Sequence, residues 1–258
     1  MLDRVNRGPC SPVDGAVRLQ ARAWPPWRSH CQGCGEPGAA GLDLCLACHA
    51  ALPRIPIACA ACGLPLRTSA ARVIDSVATS GERRCETCVL SPPPITRVVA
   101  PFLYAAPLDR WLPRFKFHHD LAAGRLLSRL MLEGCAAEPR PDALVPVPLH
   151  RTRLRSRGYD QALELAKPLA RALSIPLRTD LLQRQRATSA QSSLHATERH
   201  ENLRGAFLIT PAAMRPLPRH VALVDDVMTT GATLHAAART LGEAGVVRID
   251  AWACARTP

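Results

Sequence analysis

The stretch Val221-Ala222-Leu223-Val224-Asp225-Asp226-Val227-Met228-Thr229-Thr230-Gly231-Ala232-Thr233 decides how this chain is read. An apolar strand runs into two adjacent carboxylates, and a loop of hydroxyls and glycine then opens a helix. Backbone N–H groups at a helix start, with the hydroxyls of Thr229, Thr230 and Thr233, can cradle a phosphate, and Gly231 allows close approach. Asp225 and Asp226, at the strand end, are placed to accept hydrogen bonds from vicinal sugar hydroxyls. Ligands of parallel α/β sheets sit outside the carboxyl ends of the strands, where this loop falls. An Asp before a helix is often only a cap, and Thr-Gly is common in turns. Here one string meets every requirement of a sugar-phosphate site at once.

Working outward, short β-branched runs alternate with long helical patterns from Ile95 onward, which predicts an α/β domain with a parallel sheet. The expected elements are a strand from Ile95 to Tyr104, a helix from Leu121 to Ala137 and a strand from Ala143 to Val147. A helix from Tyr159 to Leu173, a short strand near Leu177 to Leu182 and a strand from Val221 to Val224 follow. A helix from Ala232 to Ala244 and a strand from Val247 to Cys254 complete the pattern. Ser91-Pro92-Pro93-Pro94, just ahead, reads as a rigid linker.

After the strand at Ala143 comes Pro148-Leu149-His150-Arg151-Thr152-Arg153-Leu154-Arg155-Ser156-Arg157-Gly158, with arginine at every second position and no acid between. In an extended loop the four would share one face, and planar guanidiniums suit bidentate phosphate contacts. The plainer reading is a solvated basic turn. Lys116 lies between aromatics in Arg114-Phe115-Lys116-Phe117-His118-His119-Asp120. Such a cluster can contact single-stranded nucleic acid by stacking and charge, although Phe115 and Phe117 as core is the simpler expectation. Thr188 to His195, polar and flanked by Arg184, Arg186, Arg199 and Arg204, has the composition of a mobile loop or of a plain surface excursion.

Eight of the 11 cysteines form four C-x-x-C pairs: Cys31/Cys34, Cys45/Cys48, Cys59/Cys62 and Cys85/Cys88. Two such turns complete a tetrahedral thiolate cage for zinc. A disulfide framework is disfavoured by the regular gaps and by the lack of a secretory signal, and redox C-x-x-C motifs come singly. Gly35 and Gly63 follow the second cysteine of the first and third pairs, and the other two pairs lack this glycine. The repeating unit is therefore C-x2-C-G…C-x2-C, which favours sequential pairing, with crossed pairings still open. His30 and His49 flank knuckles as bystanders, and Cys10, Cys135 and Cys254 read as ordinary thiols.

The chain has 258 residues, 47% apolar and 21% charged, enough for a real core and against intrinsic disorder. The longest runs free of charge, Ile55 to Leu66 and Val227 to Ala238, fall well short of the roughly 18 to 20 residues that a bilayer needs. With no signal segment at the start, a cytoplasmic protein is expected. The formal charge of +12 comes from 33 Lys plus Arg against 21 Asp plus Glu, and only Lys116 and Lys167 are lysines. Four thiolates around one Zn²⁺ carry about −2, so two closed sites would leave the positive excess on the C-terminal part.

The quoted stretch resembles the phosphoribosyl pyrophosphate (PRPP) signature of type I phosphoribosyltransferases. The resemblance implies that Asp225 and Asp226 hold the ribose hydroxyls and that Val227, Met228, Thr229, Thr230, Gly231, Ala232 and Thr233 hold the 5′-phosphate. Arg151, Arg153, Arg155, Arg157 and Lys116 become candidates for the pyrophosphate, with Mg²⁺ bridging its oxygens to the ribose. Whether such a protein turns PRPP over stays open, because the fold includes regulators that only bind. No residue stands out as a general base, and no acceptor is readable.

Pro146-Val147-Pro148-Leu149-His150 and Arg157-Gly158-Tyr159-Asp160-Gln161-Ala162, with Gln191, Arg199, Asn202-Leu203 and Ala206-Phe207 behind four cysteine knuckles, resemble the ComF family. Its members are phosphoribosyltransferase-like proteins associated with competence and the use of external DNA. The implied architecture is an N-terminal extension (1–28), a double zinc ribbon (29–90) and a phosphoribosyltransferase-like domain (91–258), whose parallel sheet is flanked by helices. PRPP or a related ribose phosphate is the implied ligand, and single-stranded DNA or a DNA-uptake helicase the implied partner. Against a strand-binding role stands the low aromatic content, 4%. Thr188 to His195 corresponds to a loop that closes over PRPP. Asp160 departs from the family's Asn, and an extra carboxylate there would weaken anion binding or recruit a metal.

Overall fold

The computed structural model describes residues 29–39, 41–66, 74–75, 83–186, 205–211 and 216–258. The extension 1–28 with Cys10, the loop Thr188 to His195, Arg199 and Asn202-Leu203 lie outside the described residues.

The central sheet is parallel throughout. β8 (His220–Met228) lies between β9 (Arg248–Arg256) and β5 (Ala143–Pro146), and β3 (Arg97–Val99) pairs with the far side of β9. Alternation along these strands sends side chains to two separate cores. Ala222, Val224, Trp252 and Cys254 face one way, onto α3 (Leu108–Phe117), α4 (Leu121–Cys135) and α6 (Gln161–Leu173). Val221, Leu223, Ile249, Ala251 and Ala253 face the other way, onto α7 (Ala232–Glu243) and the antiparallel pair β6 (Leu182–Arg184) and β7 (Phe207–Ile209). Both faces being covered explains why β5 and the Val221–Val224 part of β8 read as continuous apolar runs. Within the first layer the Ser128 hydroxyl of α4 donates to the Leu165 carbonyl of α6 at 2.9 Å.

Four expectations change and one unexpected helix appears. The strand expected over Ile95 to Tyr104 breaks at Ala100-Pro101, and β4 (Phe102–Leu103) resumes along β9. Helix α3 was hidden from sequence by the proline at its centre, Pro113. Residues Arg151–Arg157 form a helix, α5, and not an extended loop: the His150 side chain accepts from the Thr152 N–H at its start, and Gly158 ends it at φ 75°. Near Leu177 there is a single parallel bridge to Leu144, and the strand proper comes later as β6. β8 runs on to Met228, so the two aspartates stand within the strand and not beyond its end.

The cysteine-rich part is built from one unit used twice. In each copy an antiparallel bridge (His30 to Pro37; Ala58 to Pro65) closes a knuckle. Gly35 and Gly63 turn it with φ of 81° and 70°, which explains the glycine of the repeat. The third cysteine of each unit then caps a one-turn helix: Cys45 precedes α1 (Leu46–Ala50) and Cys85 precedes α2 (Glu86–Leu90). The second unit also holds the two-stranded β1 (Ile74–Asp75) and β2 (Arg83–Arg84). Backbone bonds tie both units to the sheet edge: Ile55 N–H to the Pro101 carbonyl (2.9 Å), Leu103 N–H to Pro53 (2.8 Å) and Val98 N–H to Ala60 (2.7 Å). Ion pairs from Asp43 to Arg125 (2.6 Å) and from Glu133 to Arg54 (2.9 Å) fasten the first unit to α4. Among the described residues no helix is long and apolar enough to cross a membrane.

Candidate functional site

Asp225 and Asp226, adjacent in β8, project to opposite sides of the sheet. Asp226 is buried on the α3 side, and Lys116, at the end of α3, reaches it with Nζ 2.8 Å from Oδ2. Asp225 is half-buried on the α7 side, where it accepts the Asp226 N–H at 2.8 Å. Desolvation foremost, and then the charge of Asp226, push the Asp225 carboxyl up to about 7, with Lys116 opposing. The Lys116 ammonium is penalised by burial, but the carboxylates of Asp226 and Asp225 outweigh this and raise it.

The loop that follows leads directly into the start of α7. Thr229 and Thr230 are exposed, Gly231 takes φ 77° as the residue before α7, and the Thr230 hydroxyl accepts the Ala232 N–H at 3.4 Å. N–H groups of a helix's first turn lack partners within it and favour anions. The side chains of Met228 and Ala232 are buried, so these two of the expected binding residues present backbone only.

Lys116, Phe117, His119, Arg153, Ser156 and Arg157 line an open cleft of about 370 Å³. Because α5 is a helix, residues four apart share a face. Arg153 and Arg157 turn into the cleft, whereas Arg151 and Arg155 are exposed to solvent. Arg157 donates to the Gln161 side-chain oxygen at 2.9 Å, and its guanidinium lies 5.1 Å from the Phe117 ring centre. Phe115 is fully buried, as expected of core, but Phe117 is 60% exposed. Arg184, buried on β6 over the Phe207 ring, adds a further cation: burial lowers it, Arg153 lowers it further and Asp225 raises it. Sequence singled out Arg184 only as a flank of a polar loop.

Asp160 does not enter this cleft as a bare charge. Its Oδ1 accepts the Leu163 N–H (3.1 Å) as the cap of α6, and its Oδ2 accepts the Leu149 N–H (3.0 Å). Both oxygens are engaged by backbone donors, so the expected weakening of anion binding or recruitment of a metal finds no support here.

The cysteines gather as Cys31, Cys34, Cys45 and Cys48, and as Cys59, Cys62, Cys85 and Cys88, with the sulfurs of each group within 4.8 Å of one another. Sulfurs at 3.7 Å (Cys34 to Cys45) and 3.8 Å (Cys62 to Cys85) match the separation of about 3.8 Å that tetrahedral Zn–S bonds of about 2.3 Å require. A hydrogen bond from Cys62 foremost, and then backbone N–H groups against the cost of burial, bring the Cys59 thiol down to about 4. Both clusters are compatible with structural zinc. Cys135 and Cys254 are buried thiols raised chiefly by burial.

Arg256, the last residue of β9, is buried at 6% exposure and escaped sequence reading altogether. Its Nε donates to the Cys62 carbonyl (2.8 Å), and its Nη1 donates to the carbonyls of Met228 (3.1 Å), Thr229 and Thr257. Burial lowers it, and the Cys62, Cys88 and Cys59 sulfurs supply the opposing charge.

Residues 160–257 match the family model of the phosphoribosyl transferase domain. Competence protein F of Haemophilus influenzae is 33% identical over 233 residues, 88% of this chain and 95% of its own length. DNA utilization protein YhgH of Escherichia coli K12 is 33% identical over 234 residues, 88% and 96%. Competence protein ComFC of Bacillus subtilis is 32% identical over 147 residues, 56% and 57%. Among solved structures, orotate phosphoribosyltransferase from Aeropyrum pernix aligns with a TM-score of 0.31 and 19% identity, over 53% of this chain and 74% of that one. With a phosphoribosyltransferase-type sheet carrying the diacid and two four-cysteine units before it, the chain belongs to the ComF family.

Proposed function

We propose that the chain binds PRPP, or a closely related ribose phosphate, with Mg²⁺ at the C-terminal end of β8, as a ComF-type protein of DNA uptake or use. One observation carries this: Lys116 on α3, which lines the cleft together with Arg153 and Arg157 of α5, is ion-paired at 2.8 Å to Asp226 of the diacid. A ribose over Asp225 and Asp226 would direct its 5′-phosphate to the start of α7 and its pyrophosphate to the arginines. Mg²⁺ arriving with the ligand would neutralise part of the pyrophosphate charge. The names of the relatives, competence and DNA utilization, supply the process.

Calorimetric titration of PRPP with Mg²⁺ tests the reading. Heat is expected with the native chain and not with the double variant Asp225→Ala, Asp226→Ala; no heat from the native chain, or undiminished binding by the variant, overturns it. If PRPP is turned over, C1 loses pyrophosphate through an oxocarbenium-like state that fixed carboxylates and loop dipoles stabilise. Pyrophosphate release in the presence of nucleobases, amines and DNA ends measures that step separately.

Phe117, exposed beside Arg157, favours a second reading in which this cleft takes single-stranded DNA by stacking and charge. A salt-dependent mobility shift of a labelled oligonucleotide supports it, and displacement by PRPP makes the two sites one.

A further inference from the structure

The two cysteine clusters differ in what they hold. The first packs into the helical layer with Leu44 and Leu52, and its unit is pinned to α4 through Asp43, His49 and Arg54. Among the described residues none of its hydrogen bonds runs to residues 225–233. The second sits under the C-terminal end of the sheet, at the phosphate loop itself. One side chain spans the gap: Arg256 takes the Cys62 carbonyl on its Nε and the Met228 and Thr229 carbonyls on its Nη1. Cys62 is a cluster residue, Met228 ends β8, and Thr229 begins the loop. The main chain tightens the same knot, because the Thr257 N–H donates to Met228 (3.1 Å), the Tyr104 N–H donates to the Arg256 carbonyl (2.9 Å), and Gly63 lies so close to Val98 that an added Cβ would come within 2.8 Å of it.

We infer that Arg256 is a positioning residue that couples the second cysteine cluster to the phosphate loop, so that an ordered Cys59-Cys62-Cys85-Cys88 cluster and a bound ribose phosphate strengthen each other, while the first cluster stays uncoupled. The physical ground is the rigid fork of the guanidinium. One planar group holds carbonyls of two distant segments, Cys62 on one side and Met228 and Thr229 on the other, and buried carbonyls that lose such a donor cost free energy. A loop whose N–H groups must converge on a phosphate is sensitive to the placement of its first two residues. Linkage makes the effect reciprocal: whatever the cluster does for ligand affinity, the ligand does for the cluster. This inference rests on the ribose-phosphate reading above.

Reciprocity supplies the test. The full chain is exposed to a zinc chelator and a thiol-alkylating reagent with and without saturating PRPP and Mg²⁺, and alkylation of each cysteine is followed by peptide mass spectrometry. PRPP is expected to slow modification of Cys59, Cys62, Cys85 and Cys88 about tenfold and to leave Cys31, Cys34, Cys45 and Cys48 unchanged. In Arg256→Met, studied at a PRPP concentration that calorimetry shows to be saturating, the selective protection disappears, and Arg256→Lys restores little of it. Equal protection of both clusters would mean general stabilisation by the ligand and overturns the coupling, as does no protection when calorimetry shows PRPP bound. The native-chain comparison decides this even if the Arg256 variants fail to fold. Absence of calorimetric heat in the native chain instead removes the ribose-phosphate reading, and the coupling with it.

Discussion

Lys116 and Asp226 are 110 positions apart in the chain and meet at 2.8 Å, the only lysine near the site bridging the end of α3 to the buried carboxylate of β8. A buried carboxylate stripped of its partner is costly, while this lysine keeps part of its exposure. Lys116→Met is therefore expected to lower stability by about 2 kcal/mol, below the range for a wholly buried pair, with Lys116→Arg recovering most of it. PRPP affinity should fall about tenfold as well, because one cation of the cleft is gone. Urea titration and calorimetry check the two effects, and a Lys116→Met protein of native stability would show that the pair is idle.

The neighbouring Asp225 predicts a pH dependence of unusual sign. Its carboxyl is raised to about 7 by desolvation and by Asp226, above the unfolded value of 3.8. The folded state therefore holds a proton that the unfolded state has released, and the contribution to stability falls as pH rises from about 4 to about 7, then levels off. Asp225→Asn should remove this slope and stabilise the protein at pH 8 by on the order of 2 kcal/mol, while abolishing the heat of PRPP binding. Thermal melts at pH 5 and pH 8 on both proteins measure it. A variant less stable than the native chain at pH 8 would contradict the assignment.

The helical form of Arg151–Arg157 separates the four arginines into pairs. Replacing Arg153 or Arg157, which line the cleft, by Ala should weaken PRPP binding about tenfold or more, at the scale of a charge-assisted hydrogen bond. Replacing Arg151 or Arg155 should change it less than about twofold, because exposed charges act through solvent screening. Equal losses at all four positions would mean that the bound state unwinds α5.

What sequence could and could not disclose follows from range. The cysteine units were legible because a glycine after the second cysteine of a knuckle meets a local requirement, a left-handed turn, at Gly35 and again at Gly63. The diacid and the loop were legible because strand, carboxylates and helix start are consecutive. Arg184 and Arg256 were not, since a buried cation looks like any other arginine until the chain brings carbonyls, rings or sulfurs to it from distant segments. The α5 helix was missed for a different reason. Alternate arginines suggested an extended face, but the His150 cap and the Gly158 stop are worth more than that pattern.

Asp160 tests a departure from the family pattern. A carboxylate offers one oxygen to Leu163 N–H and the other to Leu149 N–H, whereas the amide of Asn offers one oxygen and turns donors toward the second N–H. Asp160→Asn is expected to cost about 1 kcal/mol at pH 7.5 and to leave PRPP affinity within about twofold. A melt and a titration separate the outcomes; a large gain in affinity would restore the view that Asp160 repels the pyrophosphate.

Two glycines flanking α7 separate backbone strain from loss of the phosphate cradle. Gly231 has φ 77°, and a Cβ there would come within 2.5 Å of Met228 Cε and 3.2 Å of the His235 ring, so the buried Met228 must move. Gly245 has φ 105° with nothing within 4 Å of the same added atom. Both alanine variants carry the left-handed penalty, about 1 kcal/mol or somewhat more, and both should melt a few degrees lower. Only Gly231→Ala crowds the Met228 and His235 side chains at the start of α7, where the phosphate is proposed to bind, so only it should lose PRPP binding, by tenfold or more at matched temperature below both melts. If Gly245→Ala loses binding equally, general destabilisation accounts for the effect and the loop needs no glycine of its own.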